Sequence, residues 1–270
     1  MKLALGLGIN ARAENLEGMG GFVPSDISDL TLHFDASTIT GSHGDNVTAW
    51  ANSGSTGATN NASQSTAISQ PTLDKTTLSA NSVSFDNSND VLNLANVYVT
   101  TNQTFTFFAA FRTGRAGSDV FFAGDIGSNQ NFIQLAGANG VAIQTKFRGN
   151  TSGSNNNSIT TRTDGNQATT GTGTDGDVNY AFGEDTFEIL VITRDASEAI
   201  RFVNKEKSVI ATDTSDATNS DTNYRIERIG LAGTGGSPYD GLLGELGIYD
   251  KVINSTETNQ LIDYLTEKYT

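Results

Sequence analysis

The chain has 270 residues, of which 36% are hydrophobic and 17% are charged, and its 30 acidic and 16 basic residues give a formal net charge of -14. A strongly acidic protein repels nucleic-acid phosphates and anionic membrane surfaces, so neither is an expected partner. Cysteine is absent, which excludes disulfides, thiolate nucleophiles and cysteine-ligated zinc. No apolar segment approaches the roughly 20 residues that a membrane-spanning helix needs.

Large apolar side chains alternate with small or polar residues at the start of the chain, and this period-two pattern predicts a strand. The apolar positions are Leu3, Leu5, Leu7 and Ile9. The strand either joins its own domain or binds a neighbouring chain by strand addition, and that neighbour can be a second copy of this chain. We therefore divide the chain into an N-terminal anchoring arm, residues 1–24, and one domain, residues 25–270.

Short apolar segments recur along the rest of the chain, separated by turns rich in Gly, Asn and Asp. The predicted strands are Leu30–Asp35, 83–85, 91–94, 104–111, 120–122, 132–135, 141–147, 187–193, 199–203, 224–231 and 242–249. This series predicts an all-β protein with two packed antiparallel sheets. Residues 51–70 and 149–179 are predicted as long loops, whose length favours a role in function or in partner contacts.

One helix is predicted near the C-terminus. Asn254 or Ser255 can cap its first turn, and Glu257 stands three residues after Asn254, as in a capping box. The apolar stripe of this helix consists of Leu261, Ile262 and Leu265. The pattern predicts a helix that covers one sheet.

Four motifs occur in a fixed order along the domain. They are LHFDAS at 32–37 with VTAWANSG at 47–54, QPTL at 70–73, VSFDNSNDVL at 83–92 and YDGLLGELGIYD at 239–250. Together they resemble the concanavalin A-like lectin/glucanase domains of the LamG-like type, with Asn87 in place of a glycine of the family's third motif. The resemblance covers about residues 30–270 and implies an antiparallel two-sheet jelly-roll sandwich with one C-terminal helix.

The closing motif allows expectations for single residues. Gly241 suits a tight turn into the last strand, and Leu243, Ile248 and Tyr249 are expected to face the core. Glu245 stands within the same apolar strand. Since a buried carboxylate without a partner is costly, we expect Glu245 to accept hydrogen bonds from a neighbouring loop.

Two aromatic residues are candidates for carbohydrate binding. Trp50, the one tryptophan of the chain, either packs beneath a loop, which is the favoured interpretation, or offers a platform on which a sugar stacks. Tyr239 is the second candidate. An exposed ring at either position, or an aromatic strip on the concave sheet, would indicate a carbohydrate-binding module.

The sequence predicts a protein that is not an enzyme. A glucanase needs two carboxylates about 5 to 9 Å apart, and the resemblance implies two Glu with an Asp between them on one strand. The nearest acidic cluster, Glu184, Asp185 and Glu188, lacks that pattern. Only His33 and His43 could serve a Ser-His-Asp relay or a histidine metal site, and both are predicted to be ordinary surface residues.

Calcium is the one cofactor that the composition suggests, because oxygen ligands are abundant. By their place in the motifs, Asp35, Asp86 and Asp90 are candidate ligands, and Asp175 with Asp177 form a second cluster. The alternative, which we favour, is that these residues serve turns and caps.

The opening of the chain carries a second resemblance. Residues 1–8, MKLALGLG, followed after a polar stretch by PSDISDL at 24–30, look like the openings of tailed-bacteriophage virion proteins. This implies a non-catalytic virion component, such as a capsid decoration, fibre or tail accessory protein, that binds other capsid or tail proteins through its N-terminal strand and adsorbs to host surface glycans. The alternative is a carbohydrate-binding module of an exported, extracellular bacterial protein.

Overall fold

The computed structural model describes most of the domain. The described residues are 21–99, 104–114, 118–124, 132–138, 142–148, 158–162, 185–196, 200–213, 225–231 and 238–270. Their strands are β1 (Leu30–Asp35), β2 (Ala49–Trp50), β3 (Ala62–Ser63), β4 (Thr72–Asp74), β5 (Ser82–Asp86), β6 (Leu92–Val99), β7 (Phe105–Thr113), β8 (Ser118–Ala123), β9 (Phe132–Ala138), β10 (Ala142–Arg148), β11 (Ser158–Arg162), β12 (Phe187–Arg194), β13 (Ile200–Asn204), β14 (Val209–Asp213), β15 (Arg225–Ile229) and β16 (Asp240–Tyr249). A helix, α1 (Ser255–Tyr269), follows them.

The strands form two antiparallel sheets. In sheet A the order is β14-β13-β12-β7-β16-β5-β4, and β1 also pairs with β16. In sheet B the order is β11-β10-β9-β8-β15-β6-β3-β2. The two sheets make an antiparallel jelly-roll sandwich with a C-terminal helix, so the predicted fold class is confirmed.

An apolar core rich in aromatic rings joins the two sheets. The ring of Phe107 on β7 has its centroid 5.6 Å from that of Phe121 and 5.7 Å from that of Phe122, both on β8. Phe34 on β1 contacts Trp50 on β2 at a centroid distance of 5.7 Å. Aromatic pairs of this geometry each contribute about 0.5–1.5 kcal/mol beyond the area that they bury.

A second apolar layer lies on the other face of sheet A, beneath α1. Leu261, Ile262 and Leu265 of the helix are fully buried in one cluster with Phe108 of β7 and Val191 of β12. Sheet A is therefore covered on both faces. This explains why β7 and β12 read as nearly continuous apolar runs and not as alternating ones.

Helix α1 begins where the sequence predicts. The side chain of Asn254 accepts hydrogen bonds from the backbone N–H groups of Thr256 and Glu257, and Glu257 accepts one from the Asn254 N–H at 2.8 Å. This reciprocal capping box satisfies donors that a helix start leaves unpaired. Among the described residues, no helix is long and apolar enough to cross a membrane.

Strand β16 runs through the middle of sheet A and pairs with three strands. β7 lies along one edge, while the other edge is shared between β5, opposite residues 240–243, and β1, opposite residues 245–249. Leu243, Ile248 and Tyr249 are buried, as predicted. The closing motif is thus the element on which the rest of sheet A is assembled.

Two backbone conformations explain residues in the motifs. Gly241 does not form the predicted turn, because it is the second residue of β16, with a φ of 131°. A Cβ there would stand 2.1 Å from the Arg112 carbonyl oxygen, so only glycine fits. Asn87 has a φ of 63°, a left-handed conformation that asparagine tolerates better than most residues. This accounts for asparagine at a position where the family motif has glycine.

The predicted long loops are only partly loops. Residues 51–70 contain β3 and two 3₁₀ turns, Gly57–Asn60 and Ala67–Ser69. In the second loop, 149–179, the structure describes only β11. The predicted N-terminal strand, with Leu3, Leu5, Leu7 and Ile9, and the cluster of Asp175 and Asp177 lie outside the described residues.

Candidate functional site

A fully buried carboxylate on β16 organises a cluster of charged side chains, which we call the Glu245 network. Glu245 accepts a hydrogen bond from the Lys268 ammonium at 2.6 Å and is 2.6 Å from Nε2 of His33. The other ring nitrogen of His33, Nδ1, lies 2.7 Å from the Ser53 hydroxyl. His33 is 8% exposed, so its prediction as a surface residue is wrong. The predicted burial and pairing of Glu245 are confirmed, although its partners come from β1 and α1 and not from a loop.

Lys268 carries the positive charge of the network. It binds Asp35 at 2.8 Å in addition to Glu245, and it donates to the Tyr264 hydroxyl at 2.9 Å. Burial alone would lower the pKa of Lys268, but the charge of Glu245 and these hydrogen bonds raise it above its ordinary value. Burial likewise opposes ionisation of Asp35, and the contact with Lys268 outweighs it and lowers the pKa of Asp35. The ion pair of Lys268 with Asp35 is therefore charged at neutral pH.

Ser53, His33 and Glu245 follow the order of a hydrolase relay, with an exposed hydroxyl, an imidazole and a buried carboxylate. Two contacts favour a structural role instead. The Ser53 hydroxyl is also within 3.2 Å of the His33 carbonyl oxygen, and the Ser53 backbone N–H donates to that oxygen at 2.8 Å. The Glu245 carboxylate is also engaged by Lys268. The arrangement fastens the segment after β2 to β1, β16 and α1.

The two aromatic candidates for sugar binding both lie in the core. Trp50 is fully buried against Phe34, which confirms the packing interpretation and corrects the prediction of a stacking platform. Tyr239 is fully buried between Phe85 and Phe121, at centroid distances of 5.7 and 5.5 Å. Neither ring has an open face, because the apolar contacts between the sheets use both.

The three candidate calcium ligands do not come together. Asp35 belongs to the Glu245 network, which corrects its prediction as a metal ligand alongside the others. Asp86 and Asp90 share one turn, in which Asp90 accepts a hydrogen bond from the Asp86 N–H at 2.9 Å and Asp86 accepts one from the Ser88 N–H. Burial and the charge of Asp86 raise the pKa of Asp90 to about 6. Within the described residues, no group of three or more His, Cys, Asp or Glu side chains could hold a metal ion.

The face of sheet B that points away from sheet A, its outer face, is accessible along β2, β3, β6 and β15. Direct cross-strand pairing joins one residue of each of these strands into a row, which we call the outer row. Its members are Ala49, Ser63, Asn93 and Arg228, of which the first two are exposed and the last two half-buried. Their chain neighbours Trp50, Ala62, Leu92 and Ile229 are buried in the core. Since side chains alternate along a strand, the outer row lies on the opposite face.

A groove of about 310 Å³ lies on this outer face, lined by residues 93–97 of β6 and by Glu227 and Arg228 of β15. It exists because β6 bulges between Asn93, opposite Arg228, and Tyr98, opposite Ile226. The segment after β2 supports the bulge. Asn96 donates to the Thr59 carbonyl oxygen at 2.8 Å and its own carbonyl accepts from Asn60 at 2.8 Å.

The groove presents the polar groups that bind hydroxylated ligands. Asn93, Glu227 and Arg228 are half-buried, which holds their positions while leaving them accessible, and Asn96 is exposed. They offer amide, carboxylate and guanidinium groups within one depression, and Val97 adds an apolar wall that is 42% exposed. The sequence reasoning did not identify these residues. The signal in the sequence that could have identified them is the loss of apolar and polar alternation at residues 95–97, where strand β6 bulges.

No family model matches the chain, and no curated protein matches it either. The binding domain of botulinum neurotoxin serotype G superposes with a TM-score of 0.56 at 11% identity, over 87% of this chain and 51% of that domain. The binding domain of Paraclostridial Mosquitocidal Protein 1 gives 0.55 at 11% identity, over 90% and 53%. That of botulinum neurotoxin DC, in complex with SialylT, gives 0.50 at 8% identity, over 88% and 52%.

The chain thus spans about half the length of these toxin domains. At identities of 8% to 11% the likeness shows the fold alone. That fold, a β-sandwich, is the one that these binding domains use, and it agrees with the predicted lectin-like sandwich.

The Glu245 network predicts a large cost for removing its cation. We expect Lys268→Met to lower the free energy of unfolding by about 3 kcal/mol, because the buried carboxylate of Glu245 and the half-buried carboxylate of Asp35 lose their counter-ion. Lys207→Met is the matched control, since Lys207 pairs with Asp263 where the side chains are 38% and 66% exposed, and it should cost less than about 1 kcal/mol. Urea denaturation at pH 7 measures both. Equal costs would mean that solvent screens the network.

The raised pKa of Asp90 predicts a pH-dependent stability. Between its ordinary value and about 6, folded Asp90 holds a proton that the unfolded chain has released, so wild-type stability falls as pH rises through this window. Asp90→Asn keeps an acceptor for the Asp86 N–H and removes the titration. We expect the variant to gain stability relative to wild type between about pH 4 and pH 7 in urea titrations. A difference that is constant across this range would contradict the assignment.

Proposed function

We propose that this chain is a glycan-binding domain that catalyses no reaction, and that the groove and outer row of sheet B bind the sugar. The observation that carries the proposal is the polar groove of Asn93, Asn96, Glu227 and Arg228 on β6 and β15 of sheet B. Sheet A offers no comparable surface among the described residues, because α1 covers one face and sheet B covers the other.

The chemistry of the groove supports a sugar as the ligand. Hydroxyl groups both donate and accept hydrogen bonds, and the amides of Asn93 and Asn96, the Glu227 carboxylate and the Arg228 guanidinium supply both functions. The fold is shared with toxin binding domains, and that of botulinum neurotoxin DC is in complex with SialylT. The toxin domains that share this fold are described as binding domains, which supports a role in binding.

The geometry of the Ser53 relay also supports a role in binding and not in catalysis. The groove is built on β6 and β15 of sheet B, whereas Glu245 and His33 belong to β16 and β1 of sheet A. A nucleophile must stand beside its bound substrate for the reaction to occur. Ser53 does not line the groove that we assign to the ligand.

A polysaccharide array of neutral and acidic glycans tests this function. We expect wild-type protein to bind, and Asn93→Ala to weaken binding roughly threefold to tenfold through the loss of one amide contact. The control is Asn46→Ala, an exposed asparagine that bridges to β4 at the edge of sheet A, which should bind as wild type does. The proposal fails if no glycan binds, or if the two variants weaken binding equally.

We further propose that the chain is displayed on a particle, as a virion structural protein anchored by residues 1–24, with the sandwich of residues 25–270 facing outward. The supporting observation is the apolar alternation of Leu3, Leu5, Leu7 and Ile9, which suits strand addition to a capsid or tail protein. Glycan binding would then serve adsorption to the host. An extracellular location on an exported bacterial protein is the competing placement.

Mass spectrometry of purified phage particles decides between these placements. A virion protein must be present at a fixed ratio to the capsid protein, and a chain lacking residues 1–20 must fail to incorporate. Detection in the culture medium of uninfected cells, with none in particles, would overturn the virion placement and leave the glycan proposal intact.

A further inference from the structure

The groove on β6 and β15 places an apolar wall beside polar groups. Its polar groups come from Asn93, Asn96, Glu227 and Arg228. Its apolar surface includes Val97, which is 42% exposed. Val97 directly follows Asn96, and both residues line the groove because the bulge of β6 interrupts the alternation of side chains. A ligand that carries only hydroxyl groups at this position would leave the apolar wall without a partner.

The side-chain amide of Asn96 is held in one orientation. Its Nδ2 atom donates to the Thr59 carbonyl oxygen at 2.8 Å, and the backbone carbonyl of Asn96 accepts from the Asn60 side chain at 2.8 Å. Asn60 is buried, so this support is itself fixed by packing. The Oδ1 atom of Asn96 makes no hydrogen bond with the described residues. Asn96 therefore offers a ligand an acceptor whose direction is set before binding, which lowers the entropic cost of binding.

Asn93 brings a second amide to the groove. It is half-buried on β6, opposite Ser63 of β3 and Arg228 of β15. Within the described part of the chain, its side chain makes no hydrogen bond. A half-buried amide of this kind favours a ligand that both donates and accepts, as the hydroxyl groups of a sugar ring do.

An acetamido group matches Asn96 and Val97 together. Its N–H is a donor for the Oδ1 atom of Asn96, and its methyl group is an apolar partner for Val97. A hydroxyl group in the same place provides the hydrogen bond and lacks the methyl contact. An ammonium group provides donors, but it would lose hydration against the apolar wall.

We propose that the groove binds sugars that carry an acetamido group, which are the N-acetylated hexosamines of glycans. This inference rests on the proposed glycan-binding function and adds the chemical class of the sugar. Asn96 and Val97 recognise the acetamido group, and Asn93 contacts the hydroxyl groups of the ring. The segment that contains Thr59 and Asn60 positions Asn96 for this contact.

Two series of glycans test the preference, one built on glucose and one on galactose. In each series the sugar carries a hydroxyl, an amino or an acetamido group at the same carbon, and all are coupled at equal density to one support. In at least one series we expect the acetamido form to bind at least about fivefold more tightly than the hydroxyl form, because a methyl contact and a hydrogen bond are added. Biolayer interferometry measures this ratio of affinities.

Two matched variants assign the preference to the apolar wall. Val97→Ser should lower the ratio by about threefold or more, because it removes the apolar contact for the methyl group. Val99→Ser is the control, since Val99 lies on the same strand, is 39% exposed and does not line the groove, and it should leave the ratio unchanged. Thermal melts establish that both variants fold.

A second pair of variants tests the acceptor. Asn96→Asp and Asn96→Ala both lose the hydrogen bond to Thr59, and only the aspartate keeps an oxygen that accepts from the acetamido N–H. The ratio should therefore be higher for Asn96→Asp than for Asn96→Ala. A purely structural role of Asn96 would weaken the binding of all three forms alike and leave the ratio unchanged.

Each outcome has a distinct meaning. Equal binding of the acetamido and hydroxyl forms, tightest binding of the amino forms, or equal effects of the two valine variants overturns this inference and leaves glycan binding in place. A peptide with acetylated lysine that binds as tightly as the sugars would also overturn it, because the groove would then recognise the acetamido group without a sugar. If neither series binds while the array shows another glycan, this inference alone fails. If no glycan binds at all, both proposals fail.

Discussion

The buried carboxylate of Glu245 determines how helix α1 packs on sheet A. Glu245 stands in the central strand of sheet A with no exposure of its side chain, and a carboxylate is stable there only with close partners. Lys268 supplies the opposite charge from the last turn of α1, and His33 supplies a second contact from β1. The helix must therefore end above Glu245. This fixes α1 across sheet A, one face of which is covered by α1 and the other by sheet B.

Much of the fold is predictable from the sequence, because the long elements carry strong patterns. Strand β1 has the predicted bounds, Leu30–Asp35, and α1 begins at the predicted cap, Asn254. The strands that the sequence does not predict include β2 and β3. Each has two residues, which is too short for an alternation of apolar and polar side chains to be recognised. β3 pairs with β6 and β2 pairs with β3, so both depend on a contact with a strand distant in sequence and not on a local preference.

The candidate site is harder to predict, because it depends on contacts between residues that are far apart in the sequence. His33 and Glu245 are 212 positions apart, so the residues near His33 in the sequence do not indicate that it has a buried carboxylate as a partner. Trp50 is an ambiguous residue type, suited both to packing and to stacking on a sugar, and the fold uses it for packing. The groove requires a bulge on β6 opposite a particular residue of β15, and register across strands decides that geometry.

The charged network above sheet A and the groove on sheet B are under different physical constraints. The charges above sheet A are buried and compensate one another, so each is constrained by folding. The polar residues that line the groove, Asn93, Asn96, Glu227 and Arg228, belong to neither apolar core, and substitutions at partly exposed polar positions usually change stability by less than about 0.5 kcal/mol. Folding therefore does not dictate which polar residues stand there.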